Sequence, residues 1–174
     1  MWVLPYLAIA LGVIALDQLT KVLICAYLYG GQISLIPQVL RFSYVENTGM
    51  AFGMLSDHRW IFMVLSVIGI AAVGVYLWFY VKTKIGRTAL ALIIGGGIGN
   101  MIDRIFRGFV VDFIDFCAFP ELWGWVFNVA DAAVCIGAAL FIFDLLRDLM
   151  NEMREAKAKK NLASSEGVDG DANE

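Results

Sequence analysis

Charged and amide side chains lie inside the apolar stretches of this sequence, where each costs free energy unless it has a partner or a function. Asp17 and Lys21 are four residues apart in the first stretch, so they can pair on one face of a helix. Asn100, Asp103 and Arg104 have the spacing of side chains that share a face of another helix. These groups could neutralise one another or take part in proton transfer.

Two further carboxylates suggest a more specific chemistry. Asp112 follows the third apolar stretch, and Asp131 lies three residues after Asn128 at the start of the fourth. Two neighbouring carboxyl groups cannot both ionise easily, so their pKa values separate and they share one proton. The ionised group can then take a proton from water while the protonated group polarises a carbonyl, which is the chemistry of aspartic proteases.

Other interpretations of these residues remain open. They could be buried ion pairs and helix caps that only fix the packing. A small proton-coupled transporter or channel could use the carboxylates of three apolar stretches as a relay (Asp17, Asp103 and Asp131). A serine–lysine peptidase could combine Lys21 with Ser43 or Ser56, although no spacing ties either serine to that lysine.

The composition predicts a small polytopic membrane protein. Of the 174 residues, 60% are hydrophobic and 17% are charged, and the net charge of −3 offers no basic surface for nucleic acid. The three cysteines form no disulfide framework and no zinc motif. Four apolar stretches, at about 4–24, 60–81, 88–105 and 129–146, are each close to the ~20 residues that cross a bilayer as a helix.

The polar groups of these spans fall at one depth. At a rise of 1.5 Å per residue, Asp17 lies about 20 Å along its helix from residue 4. Asn100 and Asp103 lie about 18 and 22 Å from Thr88, the start of theirs. Asp131 opens the fourth span from the same side. We therefore expect one polar cluster just beneath one membrane surface.

Basic residues predict the orientation. Three lie between the second and third spans and five follow the fourth, whereas the two long connections, 25–59 and 106–128, hold few. The positive-inside rule therefore places both termini in the cytoplasm and the polar cluster near the outer face.

The segments outside the spans also have recognisable patterns. Residues 32–56 alternate partly and are rich in β-branched and aromatic side chains, which predicts a small extracytoplasmic sheet broken at Pro37 and Gly49. The aromatic-rich residues 115–127 are typical of an interfacial segment. Residues 1–150 are expected to form the membrane-embedded domain, and 151–174 a disordered cytoplasmic tail.

Five motifs together resemble the signature blocks of bacterial lipoprotein signal peptidase (signal peptidase II), and they occur in the same order along the chain. They are Asp17-Gln-Leu-Thr-Lys21, Asn47-Thr-Gly-Met-Ala-Phe52, Gly95-Gly-Gly-Ile-Gly-Asn100-Met-Ile-Asp103-Arg104, Val110-Val-Asp112-Phe113 and Phe127-Asn128-Val-Ala-Asp131. Each motif is weak or moderate alone, but the set is highly specific. It covers the chain from the first span to the fourth.

The resemblance implies a four-helix aspartyl endopeptidase of the bacterial inner membrane with an extracytoplasmic β-cradle. Asp112 and Asp131 match its catalytic pair. The expected supporting residues are Asp17, Lys21, Asn47, Asn100, Asp103, Arg104 and Asn128, with Lys21 included for its pairing with Asp17. The implied partners are diacylglyceryl-modified prolipoproteins, membrane lipid and globomycin-like lipopeptide inhibitors. We expect no cofactor, no metal, no nucleic acid and a monomeric protein.

Overall fold

The computed structural model describes residues 3–48, 59–118 and 124–170. Within these ranges the chain forms helices and one small sheet, and Gly49, Ser56 and His58 lie outside them. The elements in chain order are α1 (Leu4–Tyr27), β1 (Gln32–Ile36), β2 (Leu40–Asn47), α2 (Arg59–Phe79), α3 (Lys84–Phe106), β3 (Val110–Phe116), β4 (Val126–Phe127) and α4 (Val129–Gly170).

Helix α3 packs closely against the neighbouring helices because four of its residues 95–99 are glycines. A Cβ added to Gly95 would lie 2.8 Å from the Ala10 carbonyl oxygen of α1, and one on Gly96 would collide with Ala130 of α4. A Cβ on Gly99 would lie 2.7 Å from a carboxylate oxygen of Asp17. The glycines therefore allow the close helix contact that the Gly95 and Gly99 spacing predicts, and they bring the polar groups of three helices within bonding distance.

Three helices in the described residues are long and apolar enough to cross a membrane: Leu4–Tyr27, Lys84–Phe106 and Val129–Lys159. The third predicted span is therefore longer than 88–105 at both ends. Helix α2 has 21 residues, and Val67–Tyr76 is its described apolar part. The chain is thus a mostly helical, multi-pass membrane protein.

The sheet is antiparallel, with strand order β1-β2-β3-β4. The strands predicted within 32–56 are present, and Pro37 begins the turn between β1 and β2. Strands β3 and β4 were not predicted from the sequence, and they include the two ends of the segment predicted to be interfacial; residues 119–123 of that segment lie outside the described residues. Val111 and Phe113 of β3 are buried against Ile24 of α1, and this contact fixes the sheet on the helices.

Helix α4 extends far beyond the predicted end of the fourth span. Residues 151–170, predicted to be disordered, are helical in the structure. The physical reason is local, since Glu, Lys, Arg, Ala and Met dominate 151–163 and all are strong helix formers.

Candidate active site

A fully buried lysine is the centre of the polar cluster. Lys21 on α1 lies 2.9 Å from Asp17 and 3.0 Å from Asp103 of α3, measured from its Nζ to a carboxylate oxygen of each. It also donates a 2.9 Å hydrogen bond to Oδ1 of Asn100. All three side chains of this ion-pair group are 0% exposed. Because an ammonium group has three donors, Lys21 is fully satisfied by these partners.

The two carboxylates beside Lys21 also hold backbone groups. Asp17 Oδ1 accepts a 2.9 Å hydrogen bond from the backbone N–H of Ala130, in the first turn of α4. Asp103 Oδ2 accepts a 3.1 Å hydrogen bond from the backbone N–H of Val111, next to Asp112 on β3. The cluster therefore connects α1 and α3 to the two elements that carry Asp131 and Asp112.

Two asparagines link this cluster to the predicted catalytic pair. Asn100 Oδ1 accepts a 3.0 Å hydrogen bond from Asn128, while Asn100 Nδ2 donates a 2.7 Å bond to Asp131. Asn128 Nδ2, which is completely buried, also donates a 2.6 Å bond to Oδ1 of Asp112. The two aspartates are thus joined through the amides of the same two residues, and both accept hydrogen bonds from uncharged donors.

Asp131 is positioned by the start of α4. The Asp131 backbone N–H donates a 2.9 Å hydrogen bond to Oδ1 of Asn128, and the Asn128 N–H donates a 3.2 Å bond back to Oδ2 of Asp131. This reciprocal pattern is a capping box, which satisfies helix N–H groups and fixes both side chains. The positive end of the helix dipole also favours a negative charge at Asp131.

Asp112 projects from β3 into the cluster and is only 2% exposed. Its Oδ2 accepts a 2.8 Å hydrogen bond from Asn47, the last residue of β2. The pKa of Asp112 is raised to about 6, chiefly by burial and also by the charge of Asp131, against the opposing effects of the hydrogen bonds from Asn47 and Asn128 and the charge of Lys21. Such a carboxyl group can hold a proton that an exposed aspartate would lose.

Arg104 shares only part of this cluster. Neutralisation by Asp103 or Asp17 was one open interpretation of this residue, but the two cations near Asp103 are Lys21 and Arg107. Arg104 Nη1 instead makes a long 3.4 Å hydrogen bond to the Asn100 carbonyl, and it experiences the charges of Asp131 and Asp112. The physical reason is the helix period: Asp103 and Arg104 are adjacent, so they project about 100° apart around α3.

Two residues of the cluster were not predicted. Gln18 Nε2 donates hydrogen bonds to the carbonyl of Gly99, 3.1 Å away, and to Asp17, 3.2 Å away. Arg107 lies 3.7 Å from Asp103. The sequence held signals for both, because Gln18 adjoins Asp17 within the first motif and Arg107 follows Asp103 by four residues.

Access to Asp112 comes from the sheet side. An open cavity of about 220 Å³ borders this carboxyl group and is lined also by Asn47, Thr48 and Trp125. Among the described residues, no group of three or more His, Cys, Asp or Glu side chains is placed to hold a metal ion. Ser43 donates its hydrogen bond to Asp115, 3.1 Å away, and Lys21 has other partners, so this serine and this lysine form no pair.

Comparisons with known proteins identify the relatives of this chain. Residues 9–147 match the family model described as signal peptidase (SPase) II. The lipoprotein signal peptidase of Halalkalibacterium halodurans is 40% identical over 158 residues, which cover 90% of this chain and 98% of that protein. The lipoprotein signal peptidase of Janthinobacterium sp. (strain Marseille) is 40% identical over 152 residues, covering 83% of this chain and 89% of that protein.

Solved structures show the same relationship. A bacterial membrane enzyme determined by the in meso method at 2.3 Å resolution matches with a TM-score of 0.75 and 33% identity, over 84% of this chain and 90% of that one. A second, at 1.9 Å resolution, matches with a TM-score of 0.75 and 32% identity, over 83% and 94% of the two chains. The match to the family model covers more than half of the chain, and the relatives cover most of it. The chain therefore belongs to the signal peptidase II family of aspartic peptidases.

Proposed function

We propose that this protein is the endopeptidase that removes the signal peptide from diacylglyceryl-modified prolipoproteins, cutting just before the lipidated cysteine. The observation that carries the proposal is the joining of Asp112 and Asp131 through Asn100 and Asn128, in a chain of this family. The fold alone would not specify a reaction. Paired carboxylates held by uncharged hydrogen-bond donors, however, can activate a water molecule and polarise a carbonyl group.

The proposed reaction needs one proton on the pair. The ionised aspartate removes a proton from water, and the oxygen attacks the scissile carbonyl. The protonated aspartate donates its hydrogen to the carbonyl oxygen, which gives a tetrahedral gem-diol. When the C–N bond breaks, the leaving nitrogen takes the proton that the first aspartate removed from water. The second aspartate takes a proton from one hydroxyl of the gem-diol as the carbonyl re-forms, and the original protonation state returns. Asn100 and Asn128 orient both carboxyl groups and add no charge.

The membrane arrangement fits this substrate. We place the protein in the bacterial inner membrane with four spans, α2 being the fourth, and with both termini in the cytoplasm. Asp112 and Asp131 then lie near the outer face, at the depth where a lipid-anchored substrate presents its cysteine. The acyl chains of the substrate would occupy an apolar flank of the helices. Residues 1–150 form the catalytic unit of this proposal.

The same proposal includes the remaining partners. We expect a monomer that needs no cofactor, and inhibition by globomycin-like lipopeptides that occupy the lipid groove. Activity should survive EDTA. Loss of cleavage with chelator and its recovery with zinc or magnesium would make the aspartates metal ligands and contradict the proposed mechanism.

The deciding experiment is cleavage of a prolipoprotein peptide by the purified protein. The peptide is supplied with and without the diacylglyceryl group, and products are identified by mass spectrometry. We expect cleavage before the cysteine of the lipidated peptide only. Equal cleavage of both peptides would contradict the proposed substrate class. If a folded protein cleaved neither peptide, the proposed peptidase activity would be wrong.

A matched pair of variants separates the alternatives. Asp112→Asn should abolish cleavage, whereas Ser43→Ala should keep it. A serine–lysine peptidase that uses Ser43 would give the opposite result. A transporter that relays protons through Asp17, Asp103 and Asp131 would tolerate the change at Asp112.

A further inference from the structure

A second buried polar group lies at the end of the helices opposite the aspartate pair. Asp144 is 13 residues after Asp131 on α4, about 20 Å further along the helix. It borders a cavity of about 240 Å³ between the end of α2, the turn that follows it, and α4. Other residues lining this cavity are Tyr76, Tyr80, Lys82, Thr83, Phe141 and Asp148. The proposed cleavage reaction uses none of them.

One oxygen of the Asp144 carboxylate is hydrogen-bonded, and the other is buried beside Arg147. Its Oδ2 accepts a hydrogen bond from Thr83, the N-cap of α3, and a Cβ on Gly86 would lie 2.6 Å from this same oxygen. Its Oδ1 is buried and accepts no hydrogen bond from any residue that the structure describes. Arg147 lies 3.1 Å from Oδ1 as an ion pair, but its side chain is 39% exposed. Oδ1 therefore keeps hydrogen-bonding capacity but is shielded from the cavity, and Arg147 also lies 3.5 Å from the half-exposed Asp148.

Aromatic rings form another wall of the cavity. Tyr76 and Tyr80 are stacked with ring centroids 5.4 Å apart, and Phe141 meets Tyr76 edge-on at 5.9 Å. A carboxylate beside aromatic faces is the usual environment for an ammonium group, since both attract a cation. Lys82 adds one positive charge to the same cavity.

An apolar slot continues from this cavity between the helices. It has a volume of about 460 Å³ and shares Tyr76, Phe141 and Leu145 with the polar cavity. Its other lining residues are Ala72 and Val73 of α2 and Leu90 and Ile93 of α3. Together the polar cavity and the slot extend along α3 from Thr83 to Ile93, a distance of about 15 Å, and the slot can hold the part of an acyl chain that adjoins the headgroup.

We propose that this cavity and slot bind one membrane phospholipid with a zwitterionic, amine-bearing headgroup. The ammonium lies against Asp144, Asp148 and the tyrosine rings, the phosphate against Lys82, and one acyl chain in the apolar slot. Both signs of charge, the aromatic wall and the adjoining apolar slot match the chemical groups of one such molecule. A headgroup that carries only negative charge has no ammonium group to place against the tyrosine rings and the half-exposed Asp148.

The test uses the full chain, purified in detergent and stripped of lipid. Native mass spectrometry measures its binding of dioctanoyl phosphatidylethanolamine and of dioctanoyl phosphatidylglycerol, which share their chains and differ in the headgroup. We expect the amine lipid to bind at least tenfold more tightly. Asp144→Asn should remove that preference, and Ala72→Trp, which fills the slot, should weaken both lipids. Glu152→Gln, an exposed change eight residues further along α4, should alter neither.

Each outcome bears on the proposal. Equal binding of the two lipids, or tighter binding of phosphatidylglycerol, would overturn it. Unchanged phosphatidylethanolamine binding by Asp144→Asn or by Ala72→Trp would also overturn it. If Asp144→Asn does not fold, because it disturbs the Thr83 cap, Asp148→Asn takes its place. That carboxylate is half exposed and should reduce the preference for the amine lipid without affecting folding.

Discussion

Two pairs of aspartates lie side by side in this protein, and their surroundings differ. Asp17 and Asp103 contact the ammonium group of Lys21 at 2.9 and 3.0 Å and also accept backbone hydrogen bonds. Asp112 and Asp131 contact the amides of asparagines at 2.6 to 2.8 Å. Lys21, together with Arg107 near Asp103, balances the charge of the first pair, whereas amide dipoles hold the second.

This difference teaches how one residue type can have two roles in one cluster. A buried carboxylate beside a buried ammonium contributes to packing, because removing either partner would leave the other unpaired in a medium of low dielectric constant. A carboxyl group held by amides can gain or lose a proton at lower cost, and burial has already raised the pKa of Asp112 to about 6. We infer that the first pair fixes the helices and the second pair is available for proton transfer.

The largest expected effect is on the second pair. Asp112→Asn and Asp131→Asn should each reduce cleavage by about 10²- to 10⁴-fold, because a single remaining carboxyl group cannot act as base and acid together. Both proteins should remain folded, since an asparagine keeps the shape of the side chain. Initial rates on a lipidated peptide and thermal unfolding in detergent measure the two properties. A variant that keeps substantial activity at normal expression would remove its residue from the catalytic pair.

The next effect is on the first pair and should appear in stability. Lys21→Met leaves Asp17 and Asp103 buried without their ammonium partner, which should lower the free energy of unfolding by about 3–5 kcal/mol. Chemical unfolding in mixed detergent, followed by circular dichroism, measures the change.

Arg104→Met is the matched control on the neighbouring helix. Among the described residues Arg104 forms no ion pair, so its replacement should cost much less stability than that of Lys21. Equal losses for the two variants would contradict a special structural role for Lys21.

The sequence already indicated most of this cluster, for physical reasons. Asp17 and Lys21 are four residues apart on one helix, and a buried charge in a membrane needs such a partner. Asn128 and Asp131 have the spacing of a capping box. The depth of these residues followed from the helical rise, and their clustering is confirmed by the contacts of Lys21 and Asn100.

Contacts between elements that are distant in sequence were harder to predict. Strand β3 pairs with β2, so the position of Asp112 depends on a register between residues about 65 apart in the chain. Local periodicity carries no information on such pairing, and β3 was missed. For Arg104 the local spacing predicted too much. Its position on α3 is compatible with the cluster, yet the rotation of α3 directs Asp103, and not Arg104, toward Lys21.

A smaller effect concerns the pH dependence of cleavage. The Asn47 side-chain amide (Nδ2) stabilises the ionised form of Asp112 through a 2.8 Å hydrogen bond and so lowers the pKa of that group. Asn47→Ala removes the bond, and the pKa of Asp112 should rise by about half a unit to one unit. Because the pair works with one shared proton, the alkaline limb of the pH–rate profile should move to higher pH. A shift to lower pH, or none, would show that Asp112 does not hold the proton that limits the rate.

The smallest effect is expected at Asp115, three residues after Asp112 on the same strand. Asp115 lies across from Arg41 of β2, 2.5 Å from its Nε, and accepts a further hydrogen bond from Ser43. Like Asp17 and Asp103 it has a cationic partner, but the Arg41 side chain is 41% exposed, and water therefore screens the pair. Asp115→Asn should keep nearly full cleavage of the lipidated peptide and cause only a small loss of thermal stability. If this variant were as inactive as Asp112→Asn, an ion pair with a cation would not identify an aspartate as structural. The structural role assigned to Asp17 and Asp103 would then also be wrong.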